Sequence, residues 1–341
     1  MKYTCRYCGF TSDTLDDFEE DLQHHQGYWC PDCDSFTYYE EKQDSRAYTV
    51  LLENKDKKES TIVHPRFQLK KQASPLRYPG GKSKALDLIS SYLSEEKKTF
   101  VDAYCGGGSV GLSLLLSGVI EHLVMNDLDK GVYAFFHTIL TNPEPLLEKV
   151  RTVIPDRELF FHYQQMIKDN YEGFSEEERA FGFLVVNRLA FSGIWNASPV
   201  SDVLQRWNPK TLESKILAIW ERRESIEIKN EDALGLIEES FWNKNATVFV
   251  DPPYYIAESK KLYHHVYGEN EHRELAFLLN SLASGMPACA DILVTYDNHP
   301  FIEELYGDGV AEIKEVFRRY SIAKAAGQEK FEEKYSSTRH T

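Results

Sequence analysis

The chain has 341 residues, enough for two or three domains, and its 42% hydrophobic and 27% charged residues are typical of a globular protein. No apolar run is long enough to span a bilayer, and the cysteine-bearing N-terminus lacks the apolar core of a secretory signal, so we expect a cytoplasmic location. The net charge of −15 argues against uniform electrostatic attraction to nucleic acid but is compatible with a local basic groove.

The first 40 residues carry two C-x2-C pairs, formed by Cys5, Cys8, Cys30 and Cys33. Four thiolates at this spacing suit a tetrahedral zinc ion, and disulfides are not expected in a cytoplasmic protein. The sequence therefore predicts a structural zinc ribbon over residues 1–40. Its acidic and aromatic composition favours contact with protein over contact with DNA.

Residues 41–72 are polar and rich in lysine, and we interpret them as a linker that includes a short strand at Ala47–Leu52. From residue 73 onward, short β-branched runs alternate with amphipathic ones, which predicts an α/β fold with a doubly wound, mostly parallel sheet. The predicted strands are Thr99–Tyr104, His122–Asp127, Ser225–Lys229, Thr247–Asp251, Ile292–Tyr296 and Glu312–Phe317. Helical patterns lie between most of them, at Lys82–Ser94, Val110–Leu116 and Glu271–Ala283.

Residues 131–224 contain no convincing strand and are too long for a simple crossover, so we predict a helical insertion between 73–130 and 225–341. A capping box at Ser175 and Glu178 precedes the apolar run Ala180–Leu189 within it.

The sequence Asp251-Pro252-Pro253-Tyr254 directly follows the apolar run Thr247–Val250. Such a turn at the carboxyl end of a strand lies where doubly wound sheets bind ligands. A carboxylate and a backbone carbonyl can accept the two hydrogens of a conjugated amine, and a tyrosine ring can stack on an extruded base. The motif predicts a site that activates a planar amine as a nucleophile.

Six residues from Gly106 to Gly111 follow another predicted strand and match G-x-G-x-x-G, with Asp127 about 20 residues further on. This pattern fits a nicotinamide dinucleotide as well as S-adenosylmethionine (AdoMet), because an acidic residue can hold ribose hydroxyls in either case. Upstream, Tyr78–Ser83 resembles the end of a phosphate-binding loop, but Leu76 stands where that motif needs glycine. A glycine turn followed by Lys82 suits a carboxylate, such as the methionine end of AdoMet.

The segment from Pro75 to about Ser337 resembles the Dam-type adenine-N6 DNA methyltransferases, especially phage and prophage members. The matching blocks, in order, are Arg77–Lys82, Phe100–Gly108, Asn126-Asp127, Asn187-Arg188, Phe191–Gly193, Asn230–Asp232, Asp251–Tyr254 and Thr295–Asn298. The resemblance implies a class I AdoMet-dependent methyltransferase fold, catalysis at Asp251–Tyr254, and double-stranded DNA as the partner. It also implies that the insertion 131–224 recognises the target sequence.

The predicted AdoMet-binding residues are Tyr78, Gly81, Lys82, Asp102, Tyr104, Gly106, Gly108, Asp127 and Asp232. The predicted DNA-binding residues are Asn187, Arg188, Asn196 and Arg206, which carry side chains suited to base edges or phosphates. Arg188 stands at the end of a predicted helix and can instead cap it. Family members that read GATC carry a basic residue near Ile194–Asn196, so that specificity is not carried over.

Three other functions share parts of these patterns. An N4-cytosine or other amine methyltransferase would use the same turn, although Asp251 in place of serine favours adenine by family analogy. A nicotinamide oxidoreductase would use the glycine loop but not the Asp-Pro-Pro-Tyr turn. A catalytically silent DNA-binding module would not need the intact catalytic residues.

Overall fold

The computed structural model describes residues 68–78, 81–83, 85–200, 206–255, 267–285, 290–297 and 299–306, and the backbone of strands within 3–52 and at 312–318. The chain divides into two compact units. One comprises Met1–Ser45 with Arg318–Thr341, and the other comprises Arg46–Phe317.

The larger unit is built on a sheet whose described strands are β6 (Ser45–Leu52), β7 (Thr99–Asp102), β8 (His122–Asn126), β9 (Ile226–Lys229), β10 (Ala246–Val250), β11 (Asp291–Asp297) and β12 (Glu312–Arg318). Their order across the sheet is β12-β6-β11-β10-β7-β8-β9. The five strands from β11 to β9 are parallel, and β6 pairs antiparallel with β11. The predicted α/β fold with a mostly parallel sheet is confirmed.

The sheet is doubly wound because the chain leaves β7 towards β8 and β9 on one side and leaves β10 towards β11 on the other. The switch point therefore lies between β7 and β10. These two strands pair with each other, and Phe249 of β10 lies beside Asp102 of β7. Ligands bind at the carboxyl ends of strands at such a point.

Alternating residues of each central strand face two separate hydrophobic cores. Phe100 and Phe249 pack into one core, whereas Val101 and Val248 pack into the other. Both faces of the sheet are thus covered, which explains why every residue of β10 is buried and why the strand is apolar throughout most of its length.

The described helices of the larger unit are α1 (Leu86–Ser91), α2 (Ser109–Leu116), α3 (Lys130–Thr141), α4 (Glu144–Thr152), α5 (Arg157–Lys168), α6 (Glu176–Leu189), α7 (Pro209–Trp220), α8 (Ala233–Phe241), α9 (Glu269–Gly285) and α10 (Pro300–Tyr306). None of the described helices is both long and apolar enough to cross a membrane.

Helices α3 to α7 occupy the stretch where the sequence predicts a helical insertion, and α6 lies at its centre. Ser175 and Glu178 form both hydrogen bonds of the capping box at the start of α6. Every residue of α6 from Ala180 to Leu189 is buried, and these helices share one hydrophobic core with one face of the sheet. The insertion is therefore continuous in packing with the sheet.

The smaller unit contains short antiparallel strands around both cysteine pairs. β1 (Tyr3–Thr4) pairs with β2 (Thr11–Ser12), and the order of the second sheet is β3 (Glu19–Glu20), β4 (Gly27–Trp29), β5 (Phe36–Tyr38). Cys5 and Cys8 fall between β1 and β2 in the sequence, and Cys30 and Cys33 fall between β4 and β5. The four cysteines themselves lie outside the described residues, as does the predicted zinc site.

Candidate active site

A cleft opens at the carboxyl ends of the parallel strands, at the switch point between β7 and β10. It encloses about 890 Å³, including its open mouth. Among the predicted cofactor-binding residues, the lining includes Tyr78, Gly81, Lys82, Asp102, Tyr104, Gly106, Asp127 and Asp232. Asp251 and Pro253 from the end of β10 line the same cleft, so the two predicted sites meet there.

Two glycines of the loop after β7 have backbone conformations that favour glycine. Gly106 has a φ of 49°, and Gly108, which caps the N-terminus of α2, has a φ of 66°. A Cβ on Gly106 would lie 2.6 Å from the Tyr78 ring, and one on Gly108 would lie 2.6 Å from Met125. The loop therefore needs glycine both for its turn and for its close approach to Tyr78.

Asp127, after β8, supports the glycine loop. Its carboxylate accepts hydrogen bonds from the backbone N–H groups of Gly106 and Asp129, both at 2.8 Å. Burial, with a smaller contribution from the charge of Asp129, raises the pKa of Asp127 to about 7, and the two N–H groups oppose this shift. Each oxygen keeps a lone pair that can accept a further hydrogen bond.

Asp102, the last residue of β7, is 2% exposed, and its Oδ1 has no hydrogen-bond partner among the described residues. Burial raises the pKa of Asp102 well above its usual range, and the charges of Asp251 and Asp127 add to this effect. A buried carboxylate oxygen without a partner at a cleft wall fits a cationic ligand group, such as the ammonium of AdoMet.

Asp251 follows β10 and is held by two side chains from other elements. Lys82 Nζ lies 2.5 Å from its Oδ2, and Thr295 Oγ1 donates to its Oδ1 at 2.5 Å. The Lys82 side chain is 3% exposed and also lies 4.7 Å from the centre of the Tyr254 ring. Lys82 thus connects the glycine turn after Tyr78 to Asp251 and Tyr254, the first and last residues of the Asp251–Tyr254 motif. Pro252 and Pro253 lie between these two residues in the sequence.

Two further cleft residues, Asp232 and Tyr104, form hydrogen bonds with neighbouring groups. Asp232 caps the N-terminus of α8 by accepting from the Leu234 N–H. The Tyr104 hydroxyl lies 2.9 Å from the hydroxyl of Tyr267.

The structure places three of the four predicted DNA-binding side chains in the interior. Asn187 bonds the main chain of Arg77. Arg188 donates through Nε and Nη2 to the carbonyl of Arg206, and Arg206 is itself 3% exposed. Only Asn196, among these four, is exposed. The sequence interpretation missed this difference because polar side chains that bond buried main chain look the same in sequence as those that face DNA.

Two residues of the site were not assigned a role from sequence. Thr295 is the first residue of the Thr295–Asn298 block of the family resemblance. Because Val250 pairs with Val294, Thr295 lies beside Asp251. Knowledge of this strand register would have identified Thr295 as part of the site. Tyr267 carries no comparable signal, since no motif surrounds it.

The fold and the site define a class I methyltransferase, with the glycine loop after the first parallel strand and the Asp-Pro-Pro-Tyr turn after the fourth. A profile of the D12 class N6 adenine-specific DNA methyltransferases matches residues 78–322, and the chain belongs to this family. AdoMet is the expected methyl donor for methyltransferases of this family. A nicotinamide oxidoreductase would also use the glycine loop, but membership of this methyltransferase family does not support that alternative.

A curated relative is the DNA N-6-adenine-methyltransferase of Escherichia phage P1, which is 24% identical over 258 residues. The aligned region covers 74% of this chain and 33% of the phage protein, so the chain spans about a third of that relative's length.

Proposed function

We propose that this chain transfers the methyl group of AdoMet to the N6 amine of adenine in double-stranded DNA. The observation that carries the proposal is the position of Asp251: it directly follows a buried strand at the switch point, bonded to Lys82 and Thr295, in the same cleft as the glycine loop and Asp102. The family's adenine specificity and the name of the phage relative support the choice of base.

AdoMet supplies an electrophilic methyl group on its sulfonium, and the proposed role of the cleft is to hold it in place. Asp102 binds the ammonium, Lys82 faces the carboxylate, and Asp127 accepts from the ribose hydroxyls. The Tyr78 ring and the glycine loop form the wall of the cleft between these side chains. These assignments match each buried charge to a ligand group of opposite charge or to a hydrogen-bond donor.

The amine of adenine is a poor nucleophile because its lone pair is conjugated with the ring. We assign its two hydrogens to an Asp251 oxygen and the Pro252 carbonyl, which directs the lone pair out of the ring plane. Thr295 and Lys82 hold Asp251 in one orientation, and Tyr254 offers its ring to a flipped base. The amine becomes cationic on transfer and loses its proton afterwards, so no strong base is needed.

Sequence recognition is assigned to the insertion 131–224, with Asn196 as the candidate contact because it is exposed. Asn196→Ala is expected to relax the base preference at one position of the site by about 1–3 kcal/mol. Equal loss of activity on all DNA would instead assign Asn196 to a phosphate.

We also propose structural zinc at Cys5, Cys8, Cys30 and Cys33, with protein contact as the role of residues 1–40. The support is the C-x2-C spacing together with the short strands that flank each pair. Metal analysis should find about one zinc per chain, lost on Cys30→Ser, because structural zinc takes four ligands. Protein purified without chelator that contains no zinc would refute this assignment.

The activity is tested by incubating the purified chain with AdoMet and mixed-sequence duplex DNA, then identifying the modified nucleoside by mass spectrometry. N6-methyladenine that is absent with Asp251→Asn supports the proposal. N4-methylcytosine, or no modified nucleoside, refutes it.

A further inference from the structure

Asn187, on helix α6 of the insertion, bonds both main-chain groups of a single residue 110 positions away. Its Oδ1 accepts from the N–H of Arg77 at 2.7 Å, and its Nδ2 donates to the carbonyl of Arg77 at 2.5 Å. The orientation of the carboxamide is set by this pair, since the N–H can only donate and the carbonyl can only accept.

Arg77 is buried and lies outside any helix or strand, so regular secondary structure does not supply the hydrogen bonds of its main chain. A buried peptide group without a hydrogen bond is strongly unfavourable. Asn187 bonds both groups, which a side-chain amide can do because it carries a donor and an acceptor, and it is itself 3% exposed. Aspartate at this position would keep the acceptor and lose the donor, and leucine would lose both.

A second part of the insertion closes on the same peptide group. Gly193, in the short 3-10 turn after α6, has a φ of 70°. A Cβ at this position would collide with the carbonyl oxygen of Arg77. Asn187 bonds the main chain of Arg77, and Gly193 leaves room for the Arg77 carbonyl; we call these two residues the Arg77 clamp.

The segment held by the clamp forms one wall of the cleft. Tyr78 follows Arg77 directly, and its ring covers Gly106 so closely that a Cβ there would lie 2.6 Å from it. The Tyr78 carbonyl accepts from the N–H of Gly81 at 3.1 Å, and the next residue, Lys82, reaches Asp251. A shift of Arg77 would therefore move both the wall of the cleft and the cation on Asp251.

We propose that Asn187 is a positioning residue, through which the helical insertion holds Arg77, and with it Tyr78 and Lys82, in the geometry that AdoMet requires. The inference rests on the proposed function for the identity of the ligand, and it assigns Asn187 an internal role in place of direct contact with DNA. Gly193 shares this role because it leaves room for the Arg77 carbonyl.

The test measures two properties of the folded protein for Asn187→Leu and Gly193→Ala: the Kd for AdoMet by calorimetry, and hydrogen exchange of the backbone in 76–83. Both variants are expected to raise the Kd at least about tenfold and to speed exchange in this segment. Val185→Ala is the control for Asn187→Leu, because it removes buried volume from the same helix.

Gly173→Ala is the control for Gly193→Ala, because Gly173 has a φ of 78° and a Cβ there would meet no atom within 4 Å. Both controls are expected to lower the melting temperature while leaving the Kd and the exchange of 76–83 within about twofold of wild type. Unchanged exchange in 76–83 for Asn187→Leu, measured well below its melting temperature, would overturn the clamp. A changed exchange with an unchanged Kd would overturn the positioning role.

Failure of the proposed function gives a different result. If the cofactor assignment fails, wild-type protein binds no AdoMet, while the exchange measurement still decides whether Asn187 holds Arg77. If only the choice of base fails, the expected effects on the Kd and on exchange stay the same. Asn187→Asp is expected to speed exchange in 76–83 as well, since it loses the donor and turns a carboxylate oxygen towards the Arg77 carbonyl.

Discussion

Aspartates that line the same cleft differ in what surrounds their carboxylates. Asp251 has a buried lysine and a threonine hydroxyl as partners, whereas Asp127 accepts from backbone N–H groups beside a second acid. Asp102 has a buried oxygen without a partner among the described residues. These differences support the proposed roles, in which Asp251 orients the nucleophile and Asp102 and Asp127 bind the cofactor.

The raised pKa of Asp127 predicts how AdoMet binding depends on pH. With a pKa of about 7, lowering the pH from about 8 to about 6 protonates the carboxylate and removes an acceptor for the ribose hydroxyls. AdoMet affinity measured by calorimetry should therefore fall about tenfold over this range. The raised pKa of Asp102 acts in the same direction.

Asp127→Asn is the control, because it cannot titrate. It is expected to bind AdoMet more weakly at a pH of about 8 and to show a flatter pH profile than wild type. Affinity that is constant, or that rises on acidification of the wild type, would contradict the assignment of these carboxylates.

Asp251→Asn separates catalysis from cofactor binding. We expect methyl transfer to fall by at least about a hundredfold, since a preorganised acceptor of the amine hydrogen is lost. AdoMet affinity should fall far less than methyl transfer, because the proposed contact of Asp251 is with the amine and its effect on the cofactor passes only through Lys82. The melting temperature is measured in parallel, since the substitution removes the negative charge that faces the buried Lys82 ammonium. Near-normal turnover would remove Asp251 from the mechanism.

At the scale of elements, the glycine loop combines a constrained turn with close packing. Gly106→Ala should weaken AdoMet binding at least about tenfold, because the new methyl group collides with the Tyr78 ring and the left-handed backbone is strained. Gly118→Ala is the matched control: its φ is 75°, and a Cβ there would meet no atom within 4 Å. It should lower stability alone. Equal AdoMet affinity in the two variants would show that the close approach of Tyr78 is unimportant.

Elements whose signal is local were predictable from the sequence. The strand predicted at His122–Asp127 is observed at His122–Asn126, and the capping box at Ser175 starts α6 as expected. Long-range pairings were not predictable in the same way. The bond between Asn187 and Arg77 joins residues 110 apart, and no local pattern distinguishes a buried carboxamide from one that faces DNA.

At the scale of the whole molecule, the segment interpreted as a linker contributes a strand to the sheet. β6 pairs with β11 from Ile292 beside Leu52 to Asp297 beside Ala47. The sequence predicts a short strand here but does not predict which strand it pairs with, because the residue pattern of one strand does not specify its neighbour in the sheet. β6 lies along the strand that carries Thr295, the partner of Asp251.

Two truncations test the importance of this pairing. Removal of residues 1–40 keeps β6 and is expected to leave AdoMet affinity within about twofold of the full chain, because residues 1–40 belong to the smaller compact unit. Removal of residues 1–52 also deletes β6 and exposes an edge of β11, so the melting temperature should fall by several degrees more. Equal melting temperatures for the two truncations would show that β6 adds nothing to the sheet.

Methylation of adenine N6 in DNA is the proposed activity of the chain. The most direct measurement is long-read sequencing of genomic DNA from a methylation-free host that expresses the chain, because it reports the modified base together with its sequence context. We predict N6-methyladenine in one short sequence context, absent when the host expresses Asp251→Asn. Unmodified DNA from cells that contain the folded protein, or modification of cytosine alone, would contradict the claim.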